Sequence, residues 1–462
     1  MDAAKDKMMK ALSDQSTRET IFVCVLVFIL IVLYIYYRTK NDAPVLPSGY
    51  NTTQGAQQTL ISNAYSSNYD KKKAIVNDTA QLDAMKFTCL NNFYALGCRY
   101  TGYIGPMEDG FFDPVASVQM AVNAGCRVFV LDIDYIDKQC ETGIYVPRIV
   151  VRDAKGRMMI QYNDNYQLNN PNGEIRQVCD AIHTYAFGST CQNRDDPVII
   201  VLYFLRTPPG DTRSTTVLRY YSAVAKSLEV FSNRLLSNEP TGGVFHRQRQ
   251  ESILLQGSIK NYQGKVLIFS NAVTTGFRDT TLSFPSNEDL DFLVNLRLSY
   301  SQSKMGITVK DLTRYGILQS ADDFMTIPST TKSDTIEQTR TKWTICLSSN
   351  PSLPVSEATF KALSDTYGVQ CIPANLFDIE ASRFLFTNTW FDINGFKPKA
   401  CGTTCTDPKS DSCLCLLPAI TVAAGPANEQ ALNGRGGQLT GSTIGQSGAT
   451  TTGATTTSTT GG

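Results

Sequence analysis

The chain is nearly devoid of histidine: His183 and His246 are the only two in 462 residues. Neither sits in a cluster, so chemistry that passes a proton between two imidazoles has little to work with. His183 falls in an apolar-periodic helical stretch and is expected to be structural, while His246, in GVFHRQRQ, reads as a solvent-facing loop. Net charge is lacking as well, with 42 basic and 42 acidic side chains. No basic field for nucleic acid is present, and no nucleic-acid partner is expected. The 42% of hydrophobic residues and 10% of aromatics nonetheless suffice for a large core.

Long hydrophobic runs are absent but for one, IFVCVLVFILIVLYIYY at 21–37. It carries no charge, is apolar on every face, and at 1.5 Å per residue reaches about 25 Å, close to a bilayer core. A secretory signal would have a shorter apolar region and a small-residue cleavage site, neither of which is present. The expectation is a single transmembrane helix over 21–37 after a cytoplasmic segment 1–20. Lys5, Lys7, Lys10 and Arg18 outnumber Arg38 and Lys40 across the span, which puts the N-terminus in the cytoplasm and the bulk of the chain on the lumenal or external side. The KKK at 71–73 weighs against that orientation. Asn51 (NTT) and Asn77 (NDT) are glycosylation candidates on that side.

Residues 38–81 are rich in Asn, Ser, Thr and Gln and read as a polar linker; the folded part is expected from Leu82 to about 400. Within it, apolar runs suited to buried parallel strands occur at 126–133, 148–153, 197–205, 265–271, 343–349 and 368–376. Helical patterns at 113–125, 173–187 and 212–237 separate some of them, which gives repeated βαβ units and an α/β fold, closed barrel or doubly wound sheet. Cys401, Cys405, Cys413 and Cys415 then crowd into 401–425; with no histidine near, disulfides are favoured over zinc. Twelve of the 13 cysteines lie beyond the apolar run, an even number that suits an oxidising compartment, although Cys126 and Cys179 read equally well as buried free thiols. The stretch 426–462 is Gly- and Thr-rich, has two charges and no aromatics, and is expected to be a disordered tail.

AGCRVFVLDID (124–134), IRQVCDAIHTYAF (175–187) and DDPVIIVLYF (195–204), in that order, resemble the phosphatidylinositol-specific phospholipase C family. GKVLIFSN, GVQCIPANLFD and NGFKPKA continue the resemblance more weakly to about residue 400. It implies a TIM-type (β/α) barrel with its site at the C-terminal ends of the strands. The family works with two histidines, and its eukaryotic members add a calcium held by carboxylates. Here Arg99 and Arg152, the latter beside Asp153, occupy the places of the histidines, Val130 replaces a ligand glutamate, and Tyr203 stands where another acid is expected. Asp132 matches a metal carboxylate and Asp134 is a possible substitute, so residual calcium binding is weak and no cofactor is expected.

Arginine cannot shuttle protons but grips phosphate through paired hydrogen bonds. The resemblance therefore implies a membrane-anchored, catalytically inactive barrel that binds a phosphate or lipid head group through Arg99, Arg152 and Tyr203, or serves as a structural protein among other membrane or virion proteins. The alternative is an active phosphodiesterase in which Asp132, Asp134 or Asp153 acts as the base. If instead Arg99 and Arg152 merely neutralise nearby aspartates, neither ligand nor reaction follows.

Overall fold

The computed structural model describes residues 15–42, 73–85, 87–104, 111–137, 143–152, 173–238, 251–278, 282–302, 307–309, 314–348, 355–375, 390–391, 394–399 and 413–416. Helix α1 (Gln15–Asp42) contains the apolar run, and its Phe22–Ile35 side chains are exposed. Among the described residues no helix is long and apolar enough to cross a membrane. Asn51, His246, Cys401, Cys405 and the tail 426–462 lie outside the described residues.

The remainder is organised by parallel strands in chain order: β1 (Gly97–Arg99), β2 (Val128–Asp134), β3 (Val198–Phe204), β4 (Val266–Ser270), β5 (Leu296–Gln302), β6 (Gly316–Ser320), β7 (Trp343–Leu347) and β8 (Ala374–Asn375). Each pairs in parallel with the next from β1 to β7, and β8 pairs with β1. The last gap is bridged just before β8, where Cys346 N donates to Cys371 O at 2.9 Å and Cys371 N to Thr344 O at 3.1 Å. The sheet thus returns on itself, an arrangement consistent with a TIM-like α/β fold. Gly97 sits at this seam: a Cβ there would meet Cys371 Sγ at 2.9 Å, so a larger residue would push the first strand from the last.

Alternation along the strands sorts the core into two layers. Val128, Val130, Ile199, Val201, Leu267, Phe269, Leu298, Leu318, Trp343 and Ile345 fill one cluster, inside the barrel. Phe129, Leu131, Ile133, Ile200, Leu202, Phe204 and Ile268 belong to the other, under the helices. Strands buried on both faces have no polar side, which is why they read as continuous apolar runs. The covering helices include α2 (Pro114–Asn123), capped by Asp113 and started by a proline, α3 (Glu174–Ala186), and α4 (Thr215–Ser227), capped by Ser214.

Three expectations change. RIVVRD at 148–153 is not a barrel strand: only Arg148–Ile149 is extended, antiparallel to the end of β2, with Arg148 in a buried ion pair to Glu174 at 2.7 Å. β1, β5 and β6 lack long apolar runs, and their polar residues at one end hid them. The folded part begins before Leu82, since Ile75 and Val76 are buried and Val76 N donates to Asp196 Oδ1 at 3.1 Å. The lysines at 71–73 mask that short apolar segment in the sequence.

Candidate functional site

The inward face of β2 reads Val128, Val130, Asp132, Asp134, so alternation delivers two carboxylates to the end where barrel strands finish. Register places Asp132 opposite Tyr203 on β3, and β1 ends beside it at Arg99. Arg99 takes both oxygens of Asp132: Nε donates at 3.3 and 3.2 Å and Nη2 at 2.8 Å. Its remaining nitrogen, Nη1, donates to Ser348 O at 2.9 Å, and the guanidinium carbon lies 5.7 Å from the Tyr203 ring centre and 4.7 Å from that of Tyr100. Burial works against the charge of Arg99, but Asp132 outweighs it and holds the guanidinium more firmly protonated than in water. Burial pushes the Asp132 carboxyl up while Arg99 pulls it down. With three hydrogen bonds from a group that never loses its charge, the pair is ionic.

Two residues on, Asp134 is fully buried and holds two arginines. Arg152 Nε donates to Oδ2 at 2.5 Å and Arg206 Nε to Oδ1 at 2.8 Å, while the Tyr135 backbone N–H adds a bond at 2.7 Å. Arg206 also bridges to Asp137 at 2.9 Å, donates to Tyr135 O at 2.7 Å, and lies over the Tyr135 ring at 4.2 Å. Burial opposes its charge, and Asp134 and Asp137 more than restore it.

The structure therefore brings together Arg99 with Asp132, and Arg152 with Asp134, as two neighbouring ion pairs in which each arginine faces its own aspartate. Tyr203 flanks the first pair; Asp153 lies outside the described residues. Three members were missed in the sequence: Arg206, Asp137 and Tyr100. Arg206 follows the apolar run of β3 by two positions, a charge at a strand end that was there to be read. Tyr100 has φ of 60°, a conformation costly for a bulky residue, at the tip of β1. Its hydroxyl is buried and has no hydrogen-bond partner among the described residues.

His183 is half-buried on α3 against Phe187 and Phe231, at 6.2 and 6.0 Å between ring centres. Burial, helped by Arg234, lowers its pKa. It belongs to the helical layer and not to the strand ends.

Calcium does not fit these residues. A cation would need Asp132 and Asp134 oxygens that already accept from three guanidinium groups, and it would sit among three fixed positive charges. Cys413 and Cys415, candidates for disulfide or metal, are buried and disulfide-bonded. Asn77 is exposed and its amide donates to Asp195 Oδ2 at 2.7 Å.

No family model and no curated protein matches the chain. Among solved structures, the PLC21 of L. pealei is similar at 14% identity and a TM-score of 0.43, over 79% of this chain and 47% of that one, so the chain spans about half its length. A calcium-dependent phosphoinositol-specific phospholipase C from Pseudomonas sp. is similar at 11% identity and a TM-score of 0.35, over 67% and 95%. A calcium-dependent phosphatidylinositol-specific phospholipase C from Streptomyces antibioticus is similar at 8% identity and a TM-score of 0.33, over 64% and 98%.

Proposed function

We propose that the chain is a membrane-anchored, phospholipase C-like barrel that does not cleave phosphodiesters and serves as a structural or binding protein at a membrane. Cleavage by a neighbouring hydroxyl needs a base, an acid and free positive charge for the phosphate. The observation that supports the reading is the occupation of the strand-end charges by one another. Arg99 and Asp132 consume each other's hydrogen bonds, as do Arg152, Arg206 and Asp134. Both carboxylates already accept hydrogen bonds from arginines, and no imidazole lies among the described strand-end residues.

The same pairing favours the structural role over head-group capture. Three arginines face three aspartates, and only Arg206 is appreciably exposed, so an incoming phosphate gains little. Anchoring rests on the exposed apolar face of α1, which water would not tolerate over that length. In this reading the N-terminus is cytoplasmic and the barrel lumenal or external, or on the outer side of a virion membrane, beside other membrane proteins.

The deciding assay incubates the full-length protein with phosphatidylinositol vesicles and with glycerophosphodiesters, with and without calcium. No turnover above blank is expected. Turnover lost in Arg99→Ala, Arg152→Ala or Asp132→Asn would establish the rearranged phosphodiesterase instead. Vesicle binding lost in Arg206→Gln would favour head-group recognition.

A further inference from the structure

At the opposite end of the barrel, where the strands begin, a short segment ahead of β1 closes the interior. Ala74, Ile75 and Val76 are buried in the cluster inside the barrel, and the backbone passes through a 3-10 turn (Ile75–Asn77) into a short helix (Thr79–Ala84). Ala74 holds the N-cap position of the turn, and its methyl group cannot cap. The cap comes from 120 residues away: Asp196, just before β3, accepts from Val76 N at 3.1 Å through Oδ1. Beside it Asp195 accepts from Asn77 Nδ2 at 2.7 Å, and Lys73 makes a single parallel bridge to Asn394. Two adjacent carboxylates of the loop before β3 thus grip the segment.

Asp196 does this while fully buried, and its Oδ2 has no hydrogen-bond partner among the described residues. Arg127 is the cation that acts on it, yet Arg127 Nη2 donates to the Asp196 backbone O at 2.6 Å and Nη1 to Ala186 O at 3.0 Å, and its Nε also lacks a partner there. A buried ionised oxygen without a donor costs more than a protonated one. The other titratable groups around it are Asp195 and Cys191, whose Sγ lies 3.9 Å from Arg127 Nη1; on the segment itself Lys73 is exposed and Asp78 accepts from Gln81 N at 2.9 Å. Burial raises Asp196 to about 6, against the pull of Arg127 and the Val76 and Ile75 amides, and Asp195 adds to the rise.

We propose that residues 74–78 are a detachable plug at the base of the barrel, with the Asp195–Asp196 pair as its catch, and that the catch loosens between mildly acidic and neutral pH while the barrel stays folded. Opening returns the Asp196 carboxyl to water, where its ordinary value is 3.8, so the closed plug binds the proton more tightly than the open one. Closure is therefore favoured below pH 6 and weakens as pH rises through it. The parallel ladder and the hydrogen bonds between Cys346 and Cys371 close the barrel without the plug, so opening stays local. The plug is the first described part of the fold after α1, and its release lengthens the chain between that apolar helix and the barrel.

The test follows amide hydrogen exchange of the full-length protein in detergent by mass spectrometry at pH 5 and pH 8, corrected for the intrinsic pH dependence of exchange, and compares 74–78 with β3. Opening of 74–78 is expected to be about tenfold more frequent at pH 8 than at pH 5, the share of the shift between 3.8 and about 6 that falls in that window, with β3 exchanging far more slowly at both. Asp196→Asn keeps an acceptor for Val76 N but has no charge to gain, and is expected to open equally at both pH values. Wild-type protection that does not change with pH, or 74–78 and β3 exchanging at one common rate, overturns the proposal whether or not the variant folds. So does an Asp196→Asn protein that keeps the wild-type pH dependence.

Discussion

Replacing Asp132 tests whether the strand-end charges are a structural unit. In Asp132→Leu, Arg99 keeps, among the described residues, Ser348 O and two aromatic faces, inside a site where it is 8% exposed. Removing one partner of a buried pair leaves an uncompensated charge and costs about 3–5 kcal/mol. Unfolding of the full chain in detergent can be followed by tryptophan fluorescence, because Trp343 is fully buried inside the barrel. At about 2–4 °C per kcal/mol for a domain of this class, the melting temperature should fall by roughly 10 °C. The double variant Arg99→Leu/Asp132→Leu removes both charges and should recover most of the loss, since apolar replacement of a whole buried pair is near neutral. A double variant as unstable as Asp132→Leu, or a single variant that melts with the wild type, would refute the reasoning.

Three further outcomes follow from the geometry. Lys399 is held at about 7, below its value in an unfolded chain, so its contribution is present above about pH 10.5 and is lost as pH falls through 7. Lys399→Met should be more stable than wild type at pH 6 and lose the rise in melting temperature between pH 7 and 10. Asp196 is raised to about 6, by burial first and against the pull of Arg127. Its contribution is therefore full below pH 3.8 and lost as pH rises through 6, a change of about 3 kcal/mol that Asp196→Asn should abolish while keeping an acceptor for Val76 N. Ile29→Arg in α1 should shift the protein from the membrane to the soluble fraction on flotation, because a central charge costs about 3 kcal/mol of insertion; unchanged flotation would remove the anchor from the reading.

Much of the barrel was legible because strands buried on both faces must be apolar throughout. β2, β3, β4 and β7 stand out for that reason, and the caps of α2 and α4 mark where helices start. β5 (LRLSYSQ) and β6 (GILQS) did not, because polar residues interrupt their apolar sequence, even where, as at Ser299 and Ser320, the residue is buried. The site was legible in its acids: period-two alternation alone puts Asp132 and Asp134 on one face of one strand. Their fate was not, since an aspartate in sequence carries no sign of its partner.

The sequence by itself determined an α/β chain of repeated βα units, a lone apolar helix, two aspartates in phase at a strand end, and arginines with scarcely a histidine to move protons. These are local properties, fixed by periodicity and composition. Only the tertiary structure decided that Arg99 spends its hydrogen bonds on Asp132, that Arg206 reaches Asp134 from 72 residues away, and that residues 413–416 cover Lys399. Such pairings depend on which strand ends and loops the closing barrel brings within hydrogen-bond distance, and no spacing along the chain encodes that.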